Sequence, residues 1–186
     1  MLLFVGLGNP TPDSENNRHN VGFKIIDKIN KRFSLSKQKP KFKGLLTTGT
    51  IEGEKIYAIK PLTFMNNSGI CIRELLEYFK FDAEDVIVFH DDLDVEFGKI
   101  KAKFSGSSAG HNGIASIDKF IGKDYSRVRI GIGKPKAPIE IGDYVLQNFD
   151  EDELADINKI SENITESIGD LIKKKLDLFS STVNNK

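Results

Sequence analysis

Cysteine is almost missing from this 186-residue chain: Cys71 stands alone, so no intramolecular disulfide can brace the fold. A reducing, cytoplasmic location is the expectation that follows. Long apolar runs are missing too. No stretch approaches the ~20 uncharged apolar residues of a membrane span, so no membrane partner is expected. The N-terminal stretch MLLFVGLGNP has no basic residue ahead of an apolar run too short for a signal peptide. Net charge is absent as well, because 27 Lys and Arg balance 27 Asp and Glu. Overall charge therefore gives no reason to expect a nucleic-acid partner, and DNA is not expected. Repeats, low-complexity tracts and dividing linkers are also lacking, so residues 1–186 read as one domain. A hydrophobic fraction of 39% and a charged fraction of 29% are those of a globular chain able to bury a core.

What charge there is lies segregated. Between Lys99 and Lys136 nine basic residues face two acids, Asp118 and Asp124, whereas ten acids between Glu140 and Asp170 face only Lys159. A neutral chain can thus carry a basic face, and a local face is what a phosphate backbone responds to. Chance clustering on a solvated surface accounts for the same pattern, so charge alone leaves the matter open.

The hydrophobic pattern alternates strands with helices. LLFVGLG is a short apolar run ended by Gly6 and Gly8, and Val21, Ile25, Ile26, Ile29 and Phe33 then recur at helical spacing, with Asn20 placed to cap. KFKGLLTTGTI and EKIYAIK form a hairpin through Glu52-Gly53. Ile72, Leu75, Leu76 and Phe79 mark a second helix; DVIVFH, GKIKAKF and RVRIGIG are further strands. IASIDKFIG is a helix, with Asn112 placed to cap it, and the last forty or so residues read as two more helices. The expected fold is α/β, a single domain with a twisted mixed β-sheet flanked by helices. Polar loops follow the strands at 8–19, 60–67 and 90–94, where ligands bind in open α/β sheets.

Two nucleotide readings fail. GLGNPT has Thr11 where the dinucleotide fingerprint needs its third glycine; GIGKP has Val128 in place of the first P-loop glycine and Pro135 where Ser or Thr must follow the lysine. HDDLD offers His90, Asp91, Asp92 and Asp94, which read as a cation site, a solvated strand end, or a carboxylate that orients a histidine. Cys71, on the helix after NNSG, reads as a small buried residue rather than a nucleophile. What remains is a set of loop residues: Asn9, His19, Asn66, Asn67, His111 and Asn112. Neutral amides suit peptide-like carbonyl and N–H groups, and imidazole suits activation of water near neutral pH. Hydrolysis of an acyl compound is the chemistry this suggests.

Six separated blocks, VGLGNP, NRHNVGF, KPLTFMNNSG, HDDLD, GSSAGHNG and RVRIGIGKP, resemble the bacterial peptidyl-tRNA hydrolase family in order and spacing across essentially the whole chain. The resemblance implies a monomeric esterase without metal or other cofactor. Its substrate would be tRNA carrying a peptide or N-acyl-amino acid. It implies His19 as catalytic base, Asp91 as the carboxylate that orients it, and Asn9 as the residue separating blocked from unblocked aminoacyl-tRNA. It further implies Phe64, Asn66 and Asn112 as tRNA- or peptide-binding residues, and Lys103 and Arg129 as phosphate-binding ones. The strip Lys99–Lys103 with Arg127 and Arg129 would hold tRNA phosphates without reading sequence. One departure concerns GNPTPDS: Thr11 and Ser14 stand where the family often carries an aromatic, so the contact made by that ring has no counterpart. Ser107 and Ser108 replace further glycine. Two other readings use the same residues: a non-catalytic RNA-binding module, which has no need of both His19 and Asp91, and a small-molecule acyl hydrolase, which leaves the basic strip unexplained.

Overall fold

The computed structural model describes residues 1–186. Strand β1 (Leu2–Gly6) leads into helix α1 (Val21–Arg32); the short strand β2 (Lys39–Lys41) and the hairpin of β3 (Gly44–Ile51) and β4 (Glu54–Pro61) follow. Helix α2 (Ser68–Phe79), strands β5 (Val86–Asp92) and β6 (Ile100–Phe104), helix α3 (Asn112–Ile121) and strand β7 (Ser126–Gly131) complete the sheet region. Four helices end the chain: α4 (Ile141–Val145), α5 (Glu151–Glu166), α6 (Ile168–Ile172) and α7 (Leu176–Asn184). The seven strands lie in the order β2-β3-β4-β1-β5-β7-β6. β4, β1, β5 and β7 run parallel, while β2, β3 and β6 add antiparallel edges, so the sheet is mixed as the hairpin predicts.

Alternate residues of β1 feed two cores. Leu2 and Phe4 join a cluster of 26 buried residues with α1 and the C-terminal helices; Leu3 and Val5 join one of 16 with α2 and α3. A strand covered on both faces needs no polar alternation, which is why LLFVG reads as an unbroken apolar run. β6 alternates because only one of its faces is packed. Its outer edge is covered by α7: Asn184 accepts from the Ile100 N–H and donates to its carbonyl, and Ser180 accepts from the Ala102 N–H, at 2.8, 2.9 and 2.8 Å.

One close approach fixes the position of α1. A Cβ on Gly22 would lie 2.4 Å from the Phe89 carbonyl oxygen and 2.5 Å from the Leu7 nitrogen. Only glycine lets the first turn of α1 rest on β1 and β5, and that contact lowers residues 17–20 onto the carboxyl ends of those strands.

Three expectations need correction. The last forty or so residues hold three helices rather than two, because Ser167 ends α5 and Lys174 adopts φ +58° between α6 and α7. Asn20 occupies the cap position of α1 without capping it through its side chain. Asn112 is the first residue of α3, and the cap is His111, whose Nδ1 accepts from the Ile114 N–H at 3.2 Å. No helix is long and apolar enough to cross a membrane.

Candidate active site

Four consecutive residues, Asn17 to Asn20, send their side chains to three different parts of the chain. Asn17 donates to Asn148 Oδ1 at 2.7 Å. Arg18 donates to the Gln147 and Asn148 carbonyls and makes paired bonds of 3.0 and 3.1 Å to Glu153; its guanidinium lies 4.6 Å from the centre of the Tyr144 ring. His19 reaches Asp91, and Asn20 reaches Asn9. The motif sits in a 3₁₀ turn (Arg18–Asn20) just before α1, and His19 is buried to 9% exposure.

Asp91, next to last in β5, is almost fully buried, at 2% exposure. Its two oxygens are divided between two imidazoles. His19 Nδ1 lies 2.8 Å from Oδ2, and His111 Nε2 lies 2.8 Å from Oδ1. Because His111 Nδ1 accepts from the Ile114 N–H, its ring proton must sit on Nε2, where it is donated to Asp91. The third histidine of the chain, His90, donates from Nδ1 to the Asp91 carbonyl oxygen at 2.8 Å. All three histidines therefore converge on one aspartate.

Electrostatics fit this arrangement. Burial tends to raise the Asp91 pKa, but the two imidazoles and their hydrogen bonds outweigh it and hold the carboxyl far below its usual range. Burial tends to lower the His19 pKa, and the Asp91 charge and hydrogen bond outweigh that, leaving it raised. His90 is pushed the other way, to about 3, by complete burial and by His111, so it stays neutral. With Nδ1 spent on Asp91, His19 Nε2 has no protein partner and is not among the buried unpaired atoms. It opens on a cavity of about 380 Å³ lined by His19, Asp91, Asn112, Ile141, Gly142 and Val145.

His19, Asp91 and His111 bring potential metal-ligand atoms within 4.8 Å of one another. Their hydrogen bonding does not suit a resident ion. A histidine that binds metal through Nε2 carries its proton on Nδ1, whereas His111 Nδ1 accepts one. The cation reading of HDDLD has no better ground: Asp91 accepts from imidazoles, and Asp92 accepts from Arg129 Nε at 2.7 Å and from the Asp94 N–H at 2.8 Å.

Asn9 does not line this cavity; with Asn20 and Phe23 it lines a separate one of about 310 Å³, and Asn20 ties its backbone to the turn that carries His19. The Asn9 Oδ1 accepts from the Met65 N–H at 2.9 Å, leaving the NH₂ group without a protein acceptor. Phe64, at 54% exposure, adopts φ 65° and ψ 157°, a conformation normally left to glycine. Asn66 and Asn112 are exposed. Ser14 is buried and shares a 2.6 Å hydrogen bond with Thr11, so it closes its own loop. Cys71 is buried, with burial pushing its thiol up to about 12, as an inert core residue requires.

The basic strip is only partly as expected. Lys101 pairs across the sheet with Arg129, and Lys103 with Arg127, so all four project from one face. Lys103 lies against Gly106 and has no carboxylate partner within salt-bridge distance. Arg127 is the correction: at 2% exposure it donates to the Ser107 carbonyl and pairs with Asp118, and it braces the 105–111 loop instead of meeting phosphate. His111, Arg18 and the Asn20–Asn9 pairing are the site features that sequence reasoning did not assign. His111 stood among the polar loop residues, but Arg18 gave no signal, since its partner lies 135 residues away.

A buried carboxylate that holds an imidazole by one nitrogen and leaves the other open to a cavity, at the switch point of a mixed α/β sheet, is the arrangement of a water-activating hydrolase. The sequence profile of the family described as peptidyl-tRNA hydrolase matches residues 3–186, and the chain belongs to that family. It is 78% identical to the peptidyl-tRNA hydrolase of Pelagibacter ubique and 41% identical to that of Bacillus thuringiensis, over the full length of both partners in each case. The crystal structure of peptidyl-tRNA hydrolase from Acinetobacter baumannii superposes with a TM-score of 0.91 at 30% identity, covering 99% of this chain and 94% of that one.

Proposed function

We propose that this protein, acting as a monomer, hydrolyses the ester between a peptide or N-acyl-amino acid and the terminal ribose of tRNA. His19 is the general base. The observation that carries this reading is the 2.8 Å bond from His19 Nδ1 to the doubly held Asp91, with Nε2 left open to the cavity.

Nε2 takes a proton from water as its oxygen attacks the ester carbonyl. The imidazolium that forms is stabilised by Asp91, which needs no reorganisation because His111 already fixes its second oxygen. The tetrahedral intermediate then expels the ribose oxygen, which recovers the proton from Nε2. The products are a peptide with a free carboxyl group and a tRNA with a free 3′ end. Base catalysis of this kind is worth ~10²–10⁴-fold.

Selection for a blocked amine follows from Asn9. Its carbonyl oxygen is committed to Met65, so it presents only N–H donors. An acyl carbonyl accepts from them; a free ammonium, itself a donor, finds nothing there and is left poorly solvated. Lys101 and Lys103 supply positive charge for the phosphates of the acceptor end, beside Arg129, whose Nε is paired with Asp92.

The test is release of N-acetyl-amino acid from its tRNA in buffer with chelator, comparing the wild type with His19→Ala. Rapid release lost in the variant supports the reading. Tight tRNA binding without release by the wild type would instead point to an RNA-binding module.

A further inference from the structure

We infer that Asn20 is a positioning residue for substrate discrimination. Its side chain holds the Asn9 backbone so that the Asn9 amide meets the substrate's acyl group. The inference rests on the proposed role of Asn9.

Asn20 is 2% exposed and stands in the cap position of α1, where an asparagine side chain ordinarily accepts from a helix N–H. It makes no such bond. Its Oδ1 instead accepts from the Asn9 N–H at 2.9 Å, and its Nδ2 donates to the Asn9 carbonyl at 2.9 Å. A primary amide presents a donor and an acceptor side by side, so it can pair with both backbone groups of one residue as a neighbouring strand would. Asn9 is thereby fixed at its backbone by Asn20 and at its side chain by the Met65 N–H. Only the Asn9 NH₂ remains free, and its direction is set by these three bonds.

Asn20 also follows His19 directly within one 3₁₀ turn. The base and the clamp on the selecting amide share the same few backbone atoms. The distance between the point of water attack and the point of acyl recognition is therefore built into residues 19 and 20. A substrate whose acyl carbonyl engages Asn9 has its ester registered against His19, and one without that carbonyl does not.

Truncating Asn20 frees the Asn9 backbone without touching Asp91, His111 or His19 Nδ1. The experiment measures kcat/KM for N-acetyl-aminoacyl-tRNA and for the same aminoacyl-tRNA unblocked, in the wild type, Asn9→Ala, Asn20→Ala and Asn20→Ser. Each blocked-substrate measurement is repeated across pH. The expected result is a fall in the blocked-to-unblocked ratio of about tenfold in both Asn20 variants, the worth of one well-placed hydrogen bond. Asn9→Ala moves the ratio the same way, and the pH inflection of the Asn20 variants stays at the wild-type value. A ratio that falls in Asn9→Ala but not in the Asn20 variants overturns the inference, as does a fall accompanied by a shifted inflection, which marks general disruption of the turn. An unchanged ratio in Asn9→Ala overturns the reading of Asn9 itself. The Ser variant, with its small polar side chain, keeps the test open should Asn20→Ala fold poorly.

Discussion

His111 donates from Nε2 to Asp91 Oδ1, the oxygen that His19 leaves free. The carboxylate therefore cannot rotate away from His19 without breaking a second buried bond. His111→Ala leaves Oδ1 without a partner, and the resulting loss of stability is about 1–3 kcal/mol. Urea denaturation of the wild type and variant measures it. A loss in kcat exceeding any change in KM accompanies it, because Asp91 remains but is no longer held.

Arg18 and Glu153 form a second buried link. The guanidinium side chain is only 10% exposed, and that of Glu153 24%. Glu153→Leu strands the Arg18 charge, and the predicted cost is on the order of 3 kcal/mol. Arg18→Met in the same chain recovers part of it, since no charge is then left unpaired. A double-mutant cycle by thermal or urea unfolding gives the coupling, and additive effects would contradict the pairing.

Gly22→Ala tests the seating of α1. The added methyl group meets backbone atoms of β5 and the residue after β1, which cannot move aside as a side-chain end would. A destabilisation of about 1–3 kcal/mol is expected, with loss of activity as His19 is lifted from Asp91.

The two basic residues of the β6–β7 pair should separate cleanly. Lys103→Ala raises KM for tRNA substrates and lowers the slope of log affinity against log salt by about 1, as for one lost phosphate contact. Arg127→Ala breaks the bonds to Ser107 and Asp118, so its effect appears in unfolding rather than in the salt slope.

The sequence makes the interior strands legible because both sheet faces are covered, so apolar runs such as LLFVG and VIVF need no partner to be recognised. β2 escapes notice for the opposite reason: its three residues, Lys-Pro-Lys, are all exposed on an edge. His19, Asp91 and Asn9 are approached through chemistry and motif, Asn9 and His19 in the loop after β1 and Asp91 in the last residues of β5. Asn20 and Asn112 are misjudged by the same rule, since an asparagine at the start of a helix is expected to cap it, whereas α1 has no side-chain cap and His111 caps α3. Only the fold tells which of these side chains turns inward. Arg18 is illegible in principle, because a charged residue in a polar loop becomes buried only when Gln147, Asn148 and Glu153 close over it.

The pH dependence of kcat/KM in the wild type and in Asp91→Asn tests the central claim most directly. Asp91 raises the His19 pKa against the effect of burial, so Asp91's stabilisation of the protonated form is fully present below about 6.5 and lost as pH rises through the folded value. Activity needs the neutral ring and runs the other way, rising with pH through an inflection above about 6.5. In Asp91→Asn burial acts unopposed, so the inflection falls below that value while the plateau rate drops. A wild-type profile without this inflection, or one whose inflection is the same in Asp91→Asn, would contradict a base held and tuned by Asp91.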